Sequence, residues 1–369
     1  MTSTIESQHS VVIKFAGDSG DGMQLTGNQF TDSTALAGND LATFPDYPAE
    51  IRAPQGTLAG VSGFQLHFSS KPVFTPGDQY DVLVAMNAAA LKTNIGRLKR
   101  NGTLIVNTAG FDKKNLRLAG LDNNPLEDNT LQSYRVMPMD ITKLTRETLK
   151  ESPLGTKEKD QSKNMFVLGF LFWMYDRKLA PTEEFLEKKF KHKPAVLEAN
   201  KRVLHAGYNY GDTTETFTSR YRVKAAELEP GEYRNVMGNQ ATVYGMIAAS
   251  QKSGLDLFLG SYPITPASDI LHMLSNYKHF GVRTFQAEDE IASITAAIGA
   301  AFGGHLAATS TSGPGMALKT EALGLAIMLE IPLLVLNIQR AGPSTGMPTK
   351  TEQADLLQAV YGRNGEAPL

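Results

Sequence analysis

The sequence predicts a two-domain α/β protein, and three observations carry that prediction. Its 369 residues exceed one ordinary small domain. In both halves, short apolar runs of strand length alternate with helix-like segments. Between the halves lies a polar stretch, "DTTETFTSRYRVKAAELEPGEYR" (212–234), with no sustained apolar period. The expected organisation is a first domain over 1–211, a connector over 212–234 and a second domain over 235–369.

In the first half, strand-like "VVIKFA" (11–16) feeds the glycine-rich "GDSGDGM", and a helix-like stretch follows from about Gln24 to Leu36. "FQLHF" (64–68), "DVLVAMN" (81–87) and "GTLIVN" (102–107) read as further strands, with helix-like "AAALKTNIGRLKR" between the last two. That alternation suggests a parallel sheet with helices on its faces. The most apolar run, "NMFVLGFLFWMY" (164–175), is too short to span a bilayer and reads as a buried helix. Lysine-rich 182–211 has helical spacing and a solvated charged face.

The second half alternates again. Its pieces are a helix at about 238–251, strand "LDLFLG", helix 267–279, strand "RTFQ", helix 289–302, strand "LAATST", helix 316–329 and strand "PLLVLNIQ". The final "TKTEQADLLQAVYGRNGEAPL" starts another helix with no strand to return it to the sheet. The second domain is therefore expected to be cut short.

Composition removes several function classes. With 36 basic and 38 acidic side chains, net −2, there is no electrostatic case for nucleic acid or an anionic membrane. The absence of cysteine excludes disulfides, a thiol nucleophile and a cysteine-ligated iron–sulfur cluster within this chain. The seven histidines show no metal-like spacing, and no metal is assigned. The polar "MTSTIESQHS" lacks the apolar core of a secretory signal, so the expected location is the cytoplasm.

Four stretches are candidates for chemistry. "GDSGDG" (Gly17 to Gly22) lies between strand and helix, where backbone N–H groups can approach a phosphate. Its G-x-x-G-x-G order departs from the dinucleotide order, no Walker-type lysine follows, and two aspartates would repel a phosphate. This argues against a nucleotide-dependent reductase and for a tight turn with a structural or interface role. In "FQAEDEIASITAAIGAAFGG", Glu290 joins the apolar row of Ile291, Ile294, Ala297, Ile298 and Ala301. A carboxylate there is withdrawn from water and can share a proton with a ring nitrogen, although acids at a helix start are also ordinary.

Arg340 follows "PLLVLNIQ" at the carboxyl end of a strand, where open α/β sheets bind ligands, and a guanidinium suits a carboxylate. Its ordinary reading is a surface arginine opening a loop. Thr265, in "YPITPAS", also follows a strand. On local evidence it is a helix N-cap, with Pro266 at the first helical position.

Taken together, "YPITPAS", "FQAEDE", "TSGPG" and "QRAGPSTGMPTKTEQADL" resemble the α subunit of 2-oxoacid:ferredoxin oxidoreductases. The nearest likeness is the 2-oxoglutarate type, with a γ domain fused ahead of the α domain. "KFAGDSGDGMQLTGNQF", "FPDYPAEIRAPQGTLAGVSGFQLHFSS" and "DVLVAMN" resemble that γ domain. The resemblance implies a γ-type α/β domain followed by the pyrimidine-binding α/β domain of thiamine-diphosphate enzymes. It also implies oxidative decarboxylation of 2-oxoglutarate with CoA to succinyl-CoA and CO2, ferredoxin being reduced.

By the same resemblance, Glu290 bonds the aminopyrimidine ring and promotes loss of the thiazolium proton. Tyr262, Pro263 and Ile264 lie against the cofactor, Arg340 grips the substrate carboxylate, and Thr265 holds that group in place. Thr345 and Lys350 serve a distal carboxylate. Thiamine diphosphate is shared with a β subunit, which supplies the Mg2+ site and the [4Fe-4S] cluster, in a dimer of αβ heterodimers. A related pyruvate or branched-chain enzyme is the alternative, as is a non-catalytic fragment that only binds the β subunit.

Overall fold

A six-stranded mixed sheet organises the first of two units, Met1–Tyr233. The structure is a computed structural model that describes residues 4–49, 53–214 and 219–363. The unit opens with β1 (Thr4–Gln8), β2 (Ser10–Asp18), α1 (Met23–Leu36), β3 (Asp40–Asp46) and β4 (Val61–Ser69). It continues through β5 (Tyr80–Ala85), α2 (Ala88–Asn94), β6 (Leu98–Asn107), α3 (Lys113–Leu118) and β7 (Arg135–Met139). Then follow α4 (Ile141–Thr148), α5 (Thr156–Asp160), α6 (Lys163–Met174), α7 (Ala180–Lys189), α8 (Pro194–Thr213) and β8 (Ser219–Val223).

The strand order is β3-β4-β2-β5-β6-β7. Strands β2, β5, β6 and β7 are parallel, but β4 pairs antiparallel with both β2 and β3, which corrects the expectation of a parallel sheet. The reason is β3. As an edge strand it tolerates Pro45 and keeps Phe44 exposed, so its sequence lacks a clear period of two. The helix expected over 88–100 is also shorter. It stops at Asn94, and Leu98–Arg100 open β6, where Lys99 pairs with Asp81 of β5 at 2.6 Å.

Helix α6 is buried at every residue but Lys163. It can sit against α8 only because both helices carry glycine at the crossing. A Cβ on Gly169 would lie 2.0 Å from the Leu204 carbonyl oxygen, and one on Gly207 the same distance from that of Phe166. Phe30 of α1 meets Phe15, Phe68, Phe172 and Tyr175 at centroid distances of 6.2, 5.9, 5.7 and 5.9 Å. Each such aromatic pair adds about 0.5–1.5 kcal/mol beyond area burial.

The Gly17–Gly22 loop is a single tight turn whose aspartates are engaged internally. Both Asp18 carboxylate oxygens accept from the Gly56 N–H, at 3.0 and 3.1 Å. Asp21 accepts from the Asp18 N–H at 2.8 Å and pairs with Lys163 at 2.7 Å. Within 212–234, read from sequence as a connector, β8 pairs parallel with β1 from Thr4↔Ser219 to Gln8↔Val223. Tyr221 and Val223 alternate into the core beside α6, a pattern too short to register as a period.

The second unit, Arg234–Leu369, contains α9 (Gly238–Ser253), β9 (Leu257–Ser261), α10 (Ser268–Leu274) and β10 (Val282–Gln286). After these come α11 (Glu290–Phe302), β11 (Leu306–Thr311), α12 (Gly313–Met328), β12 (Leu334–Asn337) and α13 (Leu356–Tyr361). Its sheet is wholly parallel in the order β10-β9-β11-β12. Val243, Met246 and Ile247 of α9 pack with Ile270, Leu271 and Leu274 of α10 in one core cluster. Ile294 and Ile298 of α11 pack with Met316, Leu323 and Ala326 of α12 in another. Ile291, expected in that apolar row, is 53% exposed, because the buried face runs through Glu290, Ser293, Ile294, Ala297 and Ile298 instead.

The α6–α8 crossing gives the first prediction. Gly207→Ala should lower unfolding free energy by about 1–3 kcal/mol through overpacking. Urea denaturation checks it, and parent-like stability would show that the backbones part without penalty.

Candidate active site

Because the four strands of the second sheet are parallel, their carboxyl ends share one edge. The chain passes from β9 to β10 on one side, then returns across to β11 on the other. The strand order thus reverses between β9 and β11, the point where open α/β sheets hold ligands. Three of the connections leaving that edge lead to sequence candidates, Tyr262–Thr265 after β9, Glu290 after β10 and Arg340 after β12, while β11 leads directly into the start of α12. A cleft of about 730 Å³ opens among them, with Ile264, Glu290, Gly313, Arg340, Thr345 and Asp355 in its walls.

Glu290 is the first residue of α11, only 9% exposed. The helix start is fixed by Asp289, whose side chain accepts from the Ala292 N–H at 2.7 Å. Among the described residues no donor hydrogen-bonds the Glu290 carboxylate. Room for it is made by Gly315, where a Cβ would lie 2.8 Å from Glu290 Cγ and 3.0 Å from its Oε1.

Arg340 Nη1 donates to the Thr265 carbonyl oxygen at 3.1 Å, and Nη2 donates to that of Thr345 at 2.7 Å. Nε is buried and has no partner. Two of five N–H groups are thus engaged with protein, and they fix the plane of the fork. Burial lowers the Arg340 guanidinium from its ordinary range, and the charge of Glu290 opposes that shift.

The structure brings Glu290, Arg340, Thr345 and Ile264 together around the cleft and ties the Thr265 main chain to Arg340. Thr265 is not the helix cap that its local sequence suggested. Helix α10 begins at Ser268 with Ala267 in the cap position, and the Thr265–Pro266 peptide is cis. Tyr262 and Pro263 stand on the same loop outside the cleft lining. Lys350 is also outside it; its main chain shapes the loop, accepting from the Ala341 N–H at 2.7 Å and donating to the Met347 carbonyl at 3.0 Å.

The sequence reading missed Lys319. Its ammonium is fully buried and donates to the Glu290 carbonyl oxygen at 2.9 Å, to Thr309 Oγ1 at 3.0 Å and to Ser293 Oγ. The signal was present in the spacing. Met316, Lys319, Leu323 and Ala326 fall on one helical face, which places the lysine in the buried row.

The sequence was then compared with known proteins. Residues 12–210 match the family described as pyruvate ferredoxin/flavodoxin oxidoreductase. This chain belongs to that family. Residues 249–367 match the companion description, pyruvate flavodoxin/ferredoxin oxidoreductase, thiamine diP-bdg. A 2-oxoglutarate oxidoreductase subunit KorA from Mycobacterium tuberculosis is 59% identical over 98% of this chain and 55% of its own length. A 2-oxoglutarate synthase subunit KorA from Archaeoglobus fulgidus is 48% identical over 37% of this chain and 39% of its own.

Among solved structures, 2-oxoglutarate:ferredoxin oxidoreductase from Magnetococcus marinus superposes with a TM-score of 0.78 at 32% identity. The match covers 98% of this chain and 57% of that one, and 2-oxoglutarate, coenzyme A and succinyl-CoA are bound in it. The chain thus spans little more than half the length of this structure and of the Mycobacterium relative.

Gly315→Ala tests the seat of the carboxylate in this family member. Alanine gains about 1 kcal/mol of helix propensity, but overpacking against Glu290 and Thr311 costs about 1–3 kcal/mol. A net loss in urea denaturation is expected, with the Glu290 side chain displaced in a crystal structure. A more stable variant with an unmoved glutamate would remove the steric argument.

Proposed function

We propose that this chain is the thiamine-pyrimidine-binding component of a 2-oxoglutarate:ferredoxin oxidoreductase. In that reaction 2-oxoglutarate and CoA give succinyl-CoA and CO2, and ferredoxin is reduced. The observation that carries the reading is Glu290, nine-tenths buried as a residue, with no donor to its carboxylate among the described residues, on the same cleft as Arg340. A largely buried carboxylate with no hydrogen-bond donor is unfavourable, and a ligand N–H or protonated ring nitrogen is the chemistry that relieves it. The donor set therefore fits the aminopyrimidine half of thiamine diphosphate.

When bound, that cofactor supplies a carbon nucleophile and an electron sink for decarboxylation. Glu290 holds or takes up the proton at the ring nitrogen. Arg340 binds the carboxylate of the 2-oxoacid with its remaining N–H groups, its plane fixed by Thr265 and Thr345. Thr265, with its hydroxyl, steadies that carboxylate, and Tyr262, Pro263 and Ile264 flank the ring. Thr345 and Lys350 serve the distal carboxylate of a dicarboxylic substrate.

A β subunit is assigned the diphosphate–Mg2+ site and the [4Fe-4S] cluster, because this chain has no cysteine. The assembly is a dimer of αβ heterodimers, located in the cytoplasm. The names of the Mycobacterium and Magnetococcus proteins favour 2-oxoglutarate. The family description names pyruvate, which makes it the comparison substrate.

The test is anaerobic viologen reduction by this chain with its co-purifying partner, supplied with thiamine diphosphate, Mg2+, CoA and either oxoacid. CoA-dependent reduction that prefers 2-oxoglutarate is expected. Glu290→Gln should lower kcat by roughly 10²–10⁴-fold. A preference for pyruvate would overturn the substrate assignment, and a fully active Glu290→Gln would overturn the role of the glutamate.

A further inference from the structure

We propose that Lys319 is a positioning residue for Glu290, its buried ammonium pinning the first turn of α11 so that the carboxylate faces the cleft. The inference rests on the functional reading above and extends it to a residue outside the cleft lining. Its basis is geometric. All three ammonium donors are engaged with the Glu290 carbonyl, Ser293 and Thr309, so one side chain of α12 joins the start of α11 to the middle of β11. The bond to Glu290 falls on its main chain, leaving the carboxylate to the ligand.

The charged groups that act on Lys319 are Glu290 and Asp289 at the start of α11. The next turn of α11 and strand β11 contribute only hydroxyls, from Ser293 and Thr309. Burial, opposed by those two acids, pushes the ammonium down to about 8. The folded-state value thus lies below the unfolded one. The buried charge disfavours folding below about pH 8, and that penalty fades as pH rises towards the ordinary lysine range.

Three consequences separate orientation from a merely structural role. Affinity for thiamine diphosphate should weaken as pH rises through the Lys319 value, because the charge and one of the three N–H donors that hold the helix start are lost. Lys319→Met, close in volume and apolar, should keep or raise the thermal midpoint. The same variant should bind the cofactor roughly ten- to a hundredfold more weakly at neutral pH, the scale of one lost charged hydrogen bond. Its affinity should no longer change through the alkaline limb.

The experiment is calorimetric titration of thiamine diphosphate with Mg2+ into the assembled enzyme, from neutral to alkaline pH, for the parent, Lys319→Met and Glu290→Gln. Lys319→Gln, which keeps a donor without the charge, replaces the methionine variant if that one does not fold. A variant with parent affinity and the parent alkaline limb would overturn the inference. So would an affinity loss that only follows a fall in thermal midpoint. Absence of binding by the parent, or unchanged binding by Glu290→Gln, would instead remove the functional reading, and the inference with it.

Discussion

Seating the Glu290 carboxylate at the cleft edge, on a residue only 9% exposed and with no donor to it among the described residues, costs part of its solvation. Partial compensation comes from the α11 N-terminus, where a negative charge gains about 0.3–1 kcal/mol from the helix dipole. The Lys319 ammonium lies beneath the same turn and the Arg340 guanidinium across the cleft. Accommodating the side chain also demands space. Gly315 leaves it, and Gly260 of β9 lets α11 approach so closely that a Cβ there would meet the Ser293 carbonyl oxygen at 2.4 Å. Substituting Gly315 would press on the Glu290 side chain itself, and substituting Gly260 on the backbone of the helix that carries it.

Most of the second unit was legible because its strands are parallel and its helices regular. Apolar runs such as "LFLG" and "LAATST", with Gly and Pro close by, signal their own ends. Arg340 stood out by its position after a strand, and Glu290 by its place in the apolar row of its helix; the structure puts both on the cleft. Thr265 was misread locally, because a Thr-Pro pair imitates a helix start that here falls at Ser268. Lys319 escaped notice because a single lysine in a helix reads as a solvated residue unless its phase against Met316 and Leu323 is counted.

In the first unit the errors follow from edges and short strands. β3 and β7 are the two sheet edges, and polar or proline residues are tolerated there. β8 shows its inward pattern through only Tyr221 and Val223. The glycine-rich loop after β2 shows the opposite hazard, a phosphate-like pattern in which Asp18 is engaged by the Gly56 N–H and Asp21 by the Asp18 N–H and Lys163. Composition alone does not separate such a loop from a ligand cradle; the partners of its side chains do.

The pairing of β1 with β8 sets an order of events at the ribosome. Thr4 is made well before its register partner, Ser219, which lies far along the chain. At about 5–20 residues per second, the first strand waits on the order of ten to forty seconds for its neighbour. During that interval α6, buried in the folded unit at every residue but Lys163, is exposed before α8 can cover it. The nascent unit is thus most vulnerable to misassociation just before the glycine crossing of α6 and α8 closes, and its last strand, β8, completes the pairing only after that point.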